Sequence, residues 1–282
     1  MDHEAVPSLQ SRVAEHFTEV SLGDGNPQNE PDADAPSSRD FTIYIAGDST
    51  ASTYPQARWP RAGWGQALEV FTTRSVQVDN RAWSGASTKS HMDHGVLDAI
   101  AAKIGPGDWF LISFGHNDQK IENPALGTDP YTTYQQNLGA YVDVARIHGA
   151  NPVLVTSVER RRFQDGRPVE TLGKYPEAMR ALADEEGVPL IDLHAASLDL
   201  WAGLGEEATK DYFLWLDEGH DNYPGGIEDS THFQAKGAIE VARLVAKAAA
   251  GQHLMKGGLE AIDRDHDADE ITWPASINEP PL

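Results

Sequence analysis

Five short apolar runs, at residues 41–47, 75–79, 108–114, 152–156 and 188–192, alternate along this chain with helical patterns at 63–74, 90–104, 130–148 and 175–187. A strand, a helix and another strand in succession pair in parallel, because the connection must cross back over the sheet to restart at the same end. Runs such as "DWFLISF" and "PVLVT" are apolar at consecutive positions, which suits strands covered on both faces. The prediction is one α/β domain: a three-layer α/β/α sandwich with a five-stranded parallel sheet, with more helix at 194–210 and 233–250. Residues 1–40 include the Gly-, Pro- and Asp-rich "SLGDGNPQNEPDADAPSSRD" and read as an N-terminal extension or linker. The domain occupies 41–256, and the polar, Pro-rich 257–282 reads as a surface tail.

Charge and cysteine content exclude several functions. Lys plus Arg number 22 against 44 Asp plus Glu, a net charge of −22. Phosphate-backbone binding needs a positive field, so no nucleic-acid partner is expected. There is no cysteine, hence no disulfide framework, thiolate nucleophile or Cys-based zinc site. The opening "MDHEAVPSLQSRVAEHF" lacks the apolar stretch of a signal peptide, and no run is long enough to span a bilayer. A cytoplasmic protein with no membrane partner is the expectation.

In open parallel sheets ligands bind beyond the carboxyl ends of the strands. There the chain carries "GDSTAS", "NRAWSGAS", "GHNDQ" and "SVERRRF", in strand order. Ser49 sits where the first strand stops, a place suited to a turn residue or to a nucleophile. Near the carboxyl end, "EDSTHF" puts Asp229 and His232 three residues apart at the mouth of the last helix, a spacing that places both on one face of a helical turn. A carboxylate can hold an imidazole by Nδ1–H and leave Nε2 to take a hydroxyl proton, the division of labour of a serine–histidine–aspartate triad. The same pattern also fits a helix-capping aspartate beside an incidental histidine. Three donors suit a tetrahedral oxyanion: the N–H groups of Ser49 and Gly85, and the side-chain amide of Asn117.

These blocks resemble those of the SGNH (GDSL-type) hydrolases: Gly47-Asp48-Ser49, Gly85, Gly115-His116-Asn117-Asp118 and Asp229-Ser230-Thr231-His232. Within that family the chain is similar to the rhamnogalacturonan acetylesterase branch, the family 12 carbohydrate esterases. "GWGQAL", "PGDWFLISFGHNDQ", "YPEAMRALA" and "THFQAKGA" carry the likeness. The resemblance implies a flavodoxin-like SGNH hydrolase fold. It also implies O-deacetylation of pectic oligosaccharides through an acetyl-enzyme, with neither metal nor organic cofactor. Two positions depart from the branch. Ala86 stands where an Arg often follows the block-two glycine, and "TLGKYP" where His-Gly often precedes the "YP" helix.

Seven arginines (58, 61, 81, 160, 161, 162 and 167) lie in loops after strands, a local positive field suited to an acidic sugar. Alternatively they pair with nearby acids and serve loop structure. Candidate substrate contacts are Trp83 for stacking, together with Arg81, His116, Arg161, His220 and Tyr223. Asp48 reads as a turn and packing residue. "DRDHDADEI" lacks the glycine and glutamate of a calcium loop at Ala268 and Pro274, and reads as a solvated acidic segment. Other readings are an esterase for a xylan-type saccharide or small acyl ester, and an inactive carbohydrate-binding homologue. The lack of G-x-S-x-G argues against an α/β-hydrolase.

Overall fold

Alternation within the first strand builds the layers. Ile43 and Ile45 point to one face, Tyr44 and Ala46 to the other, and all four are buried. The computed structural model describes residues 40–277. The extension expected over 1–40 therefore lies, apart from Asp40, outside the described residues.

The central sheet contains β1 (Phe41–Gly47), β3 (Val76–Asn80), β4 (Trp109–Ser113), β5 (Asn151–Val155) and β8 (Leu190–Ile191), in the order β3-β1-β4-β5-β8. All of its pairings are parallel, with Ile43 opposite Val78 and Ile45 opposite Leu111. One face is covered by α1 (Trp64–Ala67), α6 (Leu193–Ala208) and α7 (Ala235–Gly251). The other is covered by α3 (Val96–Ala101), α4 (Thr133–Ile147) and α5 (Tyr175–Glu186). Trp64, Trp201, Tyr134 and Tyr141 fill the two cores, each stabilising the fold by roughly 1.5–3 kcal/mol through burial. The chain steps from β1 out to β3 and returns to β4 on the other side of β1. That reversal opens a crevice between the β1 and β4 ends.

Several local expectations change. The helix expected over 90–104 is two: α2 (Thr88–Asp93) and α3, separated at Gly95, whose φ of 72° ends one and begins the other. The one expected over 63–74 is α1 followed by a 3-10 turn, Leu68–Phe71. Residues 257–277 run along the surface, mostly exposed, but are anchored to the core rather than free. Ile271 is buried, Leu259, Ile262 and Trp273 pack on the core, and Thr72 bridges Leu259. The His266 ring meets Phe71 edge-on, and Arg243 donates to the carbonyls of Ile262 and Arg264. Widely spaced apolar residues among acids gave no periodic signal. No described helix is long and apolar enough to cross a membrane.

The chief addition is an antiparallel sheet of order β2-β10-β9, formed by β2 (Arg61–Ala62), β9 (Phe213–Leu216) and β10 (Ile227–Gln234). Asp229 and His232 lie on β10, not on a helical turn. In a regular strand, positions three apart face opposite ways. Here the register shifts between Asp229 and Phe233, and that irregularity turns both side chains the same way.

Candidate active site

Beyond β1 the chain turns sharply. The Asp48 carbonyl accepts the Ala51 and Ser52 N–H groups, and its carboxylate accepts Thr50 N–H and Oγ–H, at 2.9 and 2.8 Å. Asp48 is thus the staple of the turn. Gly47 must lack a side chain, since a Cβ there would lie 2.8 Å from the Ser113 carbonyl. Tyr54 O–H donates to the Ser49 carbonyl at 2.7 Å and accepts from Arg61 Nη2 at 2.9 Å. Burial pushes the Tyr54 phenol up to about 12, outweighing the pull of Arg61, so it remains a neutral donor.

Ser49 Oγ lies 2.9 Å from His232 Nε2, and His232 Nδ1 lies 2.6 Å from Asp229 Oδ2. Burial pushes Asp229 up, but His232 and the N–H groups of Thr231 and His232 together hold it at about 2. The carboxylate is therefore ionised, Nδ1 is the donor, and Nε2 is left to accept the Ser49 proton. The three groups form an ordered relay.

Three groups are candidate oxyanion donors: the N–H groups of Ser49 and Gly85 and the side-chain amide of Asn117. Gly85 has φ 87°, a backbone conformation that a side chain would strain, and it precedes α2, which is closed by a Ser87–Ser90 capping box. The N–H groups of Ser49 and Gly85 donate to no other group among the described residues. Asn117 Nδ2 gives one hydrogen to the Ala86 carbonyl at 2.8 Å and keeps the other. Its Oδ1 accepts from Lys120 Nζ at 2.7 Å. An ammonium can only donate, so this contact fixes Oδ1 as the accepting end of the amide and leaves Nδ2 as its donor end. Replacing Asn117 by Ala should lower kcat by about 10²–10³-fold with little change in KM. Lys120→Met should cost roughly tenfold in kcat, and Lys120→Arg should restore most of it. Steady-state kinetics on a soluble ester would test both. An effect confined to KM would make Asn117 a binding residue instead.

The remaining expected contacts divide. Trp83 is buried, at 4% exposure, against His91 and His94, so it offers no stacking face. His116 is buried too. Its Nε2 meets the Val158 carbonyl at 2.9 Å, and burial pushes it down to about 4, which makes it a neutral tie between two loops. Arg81 is paired with Asp79 and borders a cavity that no member of the triad lines. Arg161 is buried, donates to Thr209 Oγ1 and the Glu206 carbonyl, and lies over Trp215. Packing holds Trp83, and partners within the protein hold Arg81, His116 and Arg161, the last of which also lines a cavity with Asp229. Arg61 on Tyr54 and Arg160 on Thr171 are likewise engaged. Arg58, Arg162 and Arg167 have no ion pair among the described residues. His220 and Tyr223 stay at the rim, half-buried.

Tyr54 and Lys120 went unrecognised in the sequence, and Arg61 was read only as one of the loop arginines, not as a partner of Tyr54. Tyr54 and Arg61 meet through a loop whose path no spacing rule supplies. Lys120 sits three residues after Asn117, which a turn explains once it is seen.

A model of the GDSL-like lipase/acylhydrolase family matches residues 45–238. The chain belongs to that family. It is 52% identical over 207 residues to the rhamnogalacturonan acetylesterase RhgT of Bacillus subtilis, which spans 73% of this chain and 88% of that one. The crystal structure of Bacillus subtilis YxiM superposes with a TM-score of 0.66 at 27% identity, covering 77% of this chain and 58% of that one. The matched stretch contains Ser49, Gly85, Asn117, Asp229 and His232. Asp118, beside Asn117, is buried beneath them and accepts from Thr88 and Thr128. Burial pushes it up to about 7 despite those donors.

Proposed function

We propose that the protein is a serine acetylesterase that removes O-acetyl groups from short, acidic oligosaccharides of rhamnogalacturonan. The observation that carries this reading is the 52% identity to RhgT across 88% of that enzyme. The chemistry follows from the relay. Ser49 Oγ attacks the acetyl carbonyl carbon as its proton passes to His232 Nε2, whose charged form Asp229 stabilises. The N–H groups of Ser49 and Gly85 and the free Nδ2 hydrogen of Asn117 hold the oxyanion. When the sugar C–O bond breaks, His232 returns the proton to the departing sugar oxygen. Water then gives a proton to His232 and attacks the acetyl-enzyme, releasing acetate and restoring Ser49 Oγ–H.

The net charge of −22 does not oppose an acidic substrate in the cleft. Screening confines distant repulsion to about 8 Å at physiological ionic strength, so nearby guanidinium groups dominate. The test is acetate release from acetylated rhamnogalacturonan fragments, acetylated xylo-oligosaccharides and p-nitrophenyl esters of increasing chain length. The pectic fragments should give the highest kcat/KM among the saccharides, and activity should fall steeply beyond acetyl. Faster turnover of the xylan fragments would overturn the pectic assignment.

A further inference from the structure

Trp59 is 37% exposed, one of few large apolar side chains left open among the described residues. It is nevertheless held rigidly. The His220 ring stacks on the indole with centroids 5.2 Å apart and planes 20° from parallel, and Tyr223 lies 5.7 Å behind His220. Asn222 Nδ2 donates to the Trp59 carbonyl at 2.8 Å, and Tyr223 O–H to the Arg58 carbonyl at 3.1 Å. The Asn222 N–H donates to His220 Nδ1 at 3.2 Å, which fixes the orientation of the ring. The loop over 219–226 is tied to the segment 56–59 by the ring stack and by the contacts to the carbonyls of Arg58 and Trp59. An exposed aromatic ring fixed in advance loses little entropy when something settles on it.

The stack adjoins the catalytic groups. Arg61, two residues after Trp59, pairs through β2 with Gln234 of β10, two residues beyond His232, and reaches the Ser49 carbonyl through the Tyr54 hydroxyl. One flat side of a pyranose presents C–H bonds whose hydrogens carry slight positive charge. They match the negative face of an indole. Arg58, the residue before Trp59, is exposed and has no ion pair among the described residues, and a guanidinium is the group best shaped for a carboxylate.

We propose that Trp59, backed by His220 and Tyr223 and flanked by Arg58, is a subsite for a uronic-acid ring neighbouring the acetylated sugar. This rests on the saccharide reading above and assigns its charge preference to Arg58 rather than to the arginines already engaged. Two measurements test it. In the Ser49→Ala background, calorimetry with a deacetylated galacturonate-containing oligosaccharide should show Kd rising about tenfold on Trp59→Ala, with Trp59→Phe keeping most of the affinity. Arg58→Gln should weaken binding of the acidic oligosaccharide several-fold and matter less once its carboxylates are reduced to alcohols. In the active enzyme, Trp59→Ala should lower the ratio of kcat/KM for the acetylated oligosaccharide to that for p-nitrophenyl acetate about tenfold, through KM.

Unchanged Kd and an unchanged ratio in Trp59→Ala, in an enzyme that deacetylates pectic fragments, would overturn the subsite and leave the function standing. Trp59-dependent binding by a protein that releases no acetate from those fragments would do the reverse. If nothing binds and nothing is deacetylated, both fall.

Discussion

Ser49→Ala is expected to lower kcat for ester hydrolysis by about 10⁵–10⁶-fold, leaving only the modest acceleration that oxyanion donors and binding give by themselves. The fold should survive. The turn that carries Ser49 is held by the Asp48 carboxylate and carbonyl and by Tyr54 on the Ser49 carbonyl, none of which uses the hydroxyl. The variant forfeits one hydrogen bond to His232, worth about 1 kcal/mol. Turnover of p-nitrophenyl acetate and the thermal midpoint would report the two effects separately. Residual activity above about a thousandth of wild type would assign the nucleophile elsewhere. His232→Ala should be as severe, and the double variant scarcely worse than either single one, because the members act as a unit.

Asp229→Asn is expected to cost about 10⁴-fold in kcat, for a reason specific to this backbone. The Asp229 Oδ1 accepts two N–H groups, from Thr231 and His232, while Oδ2 faces His232 Nδ1. An asparagine keeps its oxygen on the two N–H groups and must then turn its NH₂ toward Nδ1. Nδ1 becomes the acceptor, the ring proton moves to Nε2, and Nε2 can no longer take the Ser49 proton. The pH behaviour separates this from unfolding. With its folded pKa depressed to about 2, Asp229 contributes stability that is fully present above the ordinary carboxylate pKa. That contribution is lost only as pH falls toward about 2. The asparagine variant should lack this acid-side loss while remaining folded and nearly inactive near neutrality. Denaturation midpoints at several acid pH values, set beside kcat, would check it.

The three residues in these predictions were legible in the sequence for different reasons. Ser49 follows a strand whose apolar run stops abruptly, and position at a strand's carboxyl end is a strong clue in a parallel sheet. Asp229 and His232 were found by spacing, yet their backbone was misread. A helical turn brings positions three apart together by its own period, whereas here a strand does so only through a register shift forced by its partner β9. That shift depends on pairing with residues some fifteen positions away, and no local pattern encodes it.

Substrate-contact assignments fared worst. Trp83, Arg81, His116 and Arg161 were named because they follow strands, but position in a loop does not say which way a side chain turns. Each of the four is turned inward or paired: Trp83 by packing on His91 and His94, the others by polar partners within the protein. Trp59 stays exposed because the 219–226 loop reaches across the chain to brace it. Lys120 and Tyr54 act through groups they meet only in the folded turn.

By itself, the order of apolar runs and glycine-rich strand ends determined the parallel sheet, the site's place at its carboxyl edge and the chemical types of the reacting groups. These follow from strand and helix periods and from crossover geometry, which are local or topological constraints. Tertiary structure alone decided which polar side chains face the cleft, how the Asp229–His232 pair is turned, and which cations are left unpaired. Those outcomes depend on competition between partners distant in sequence. The winner is whichever contact satisfies a buried polar group at least cost in desolvation.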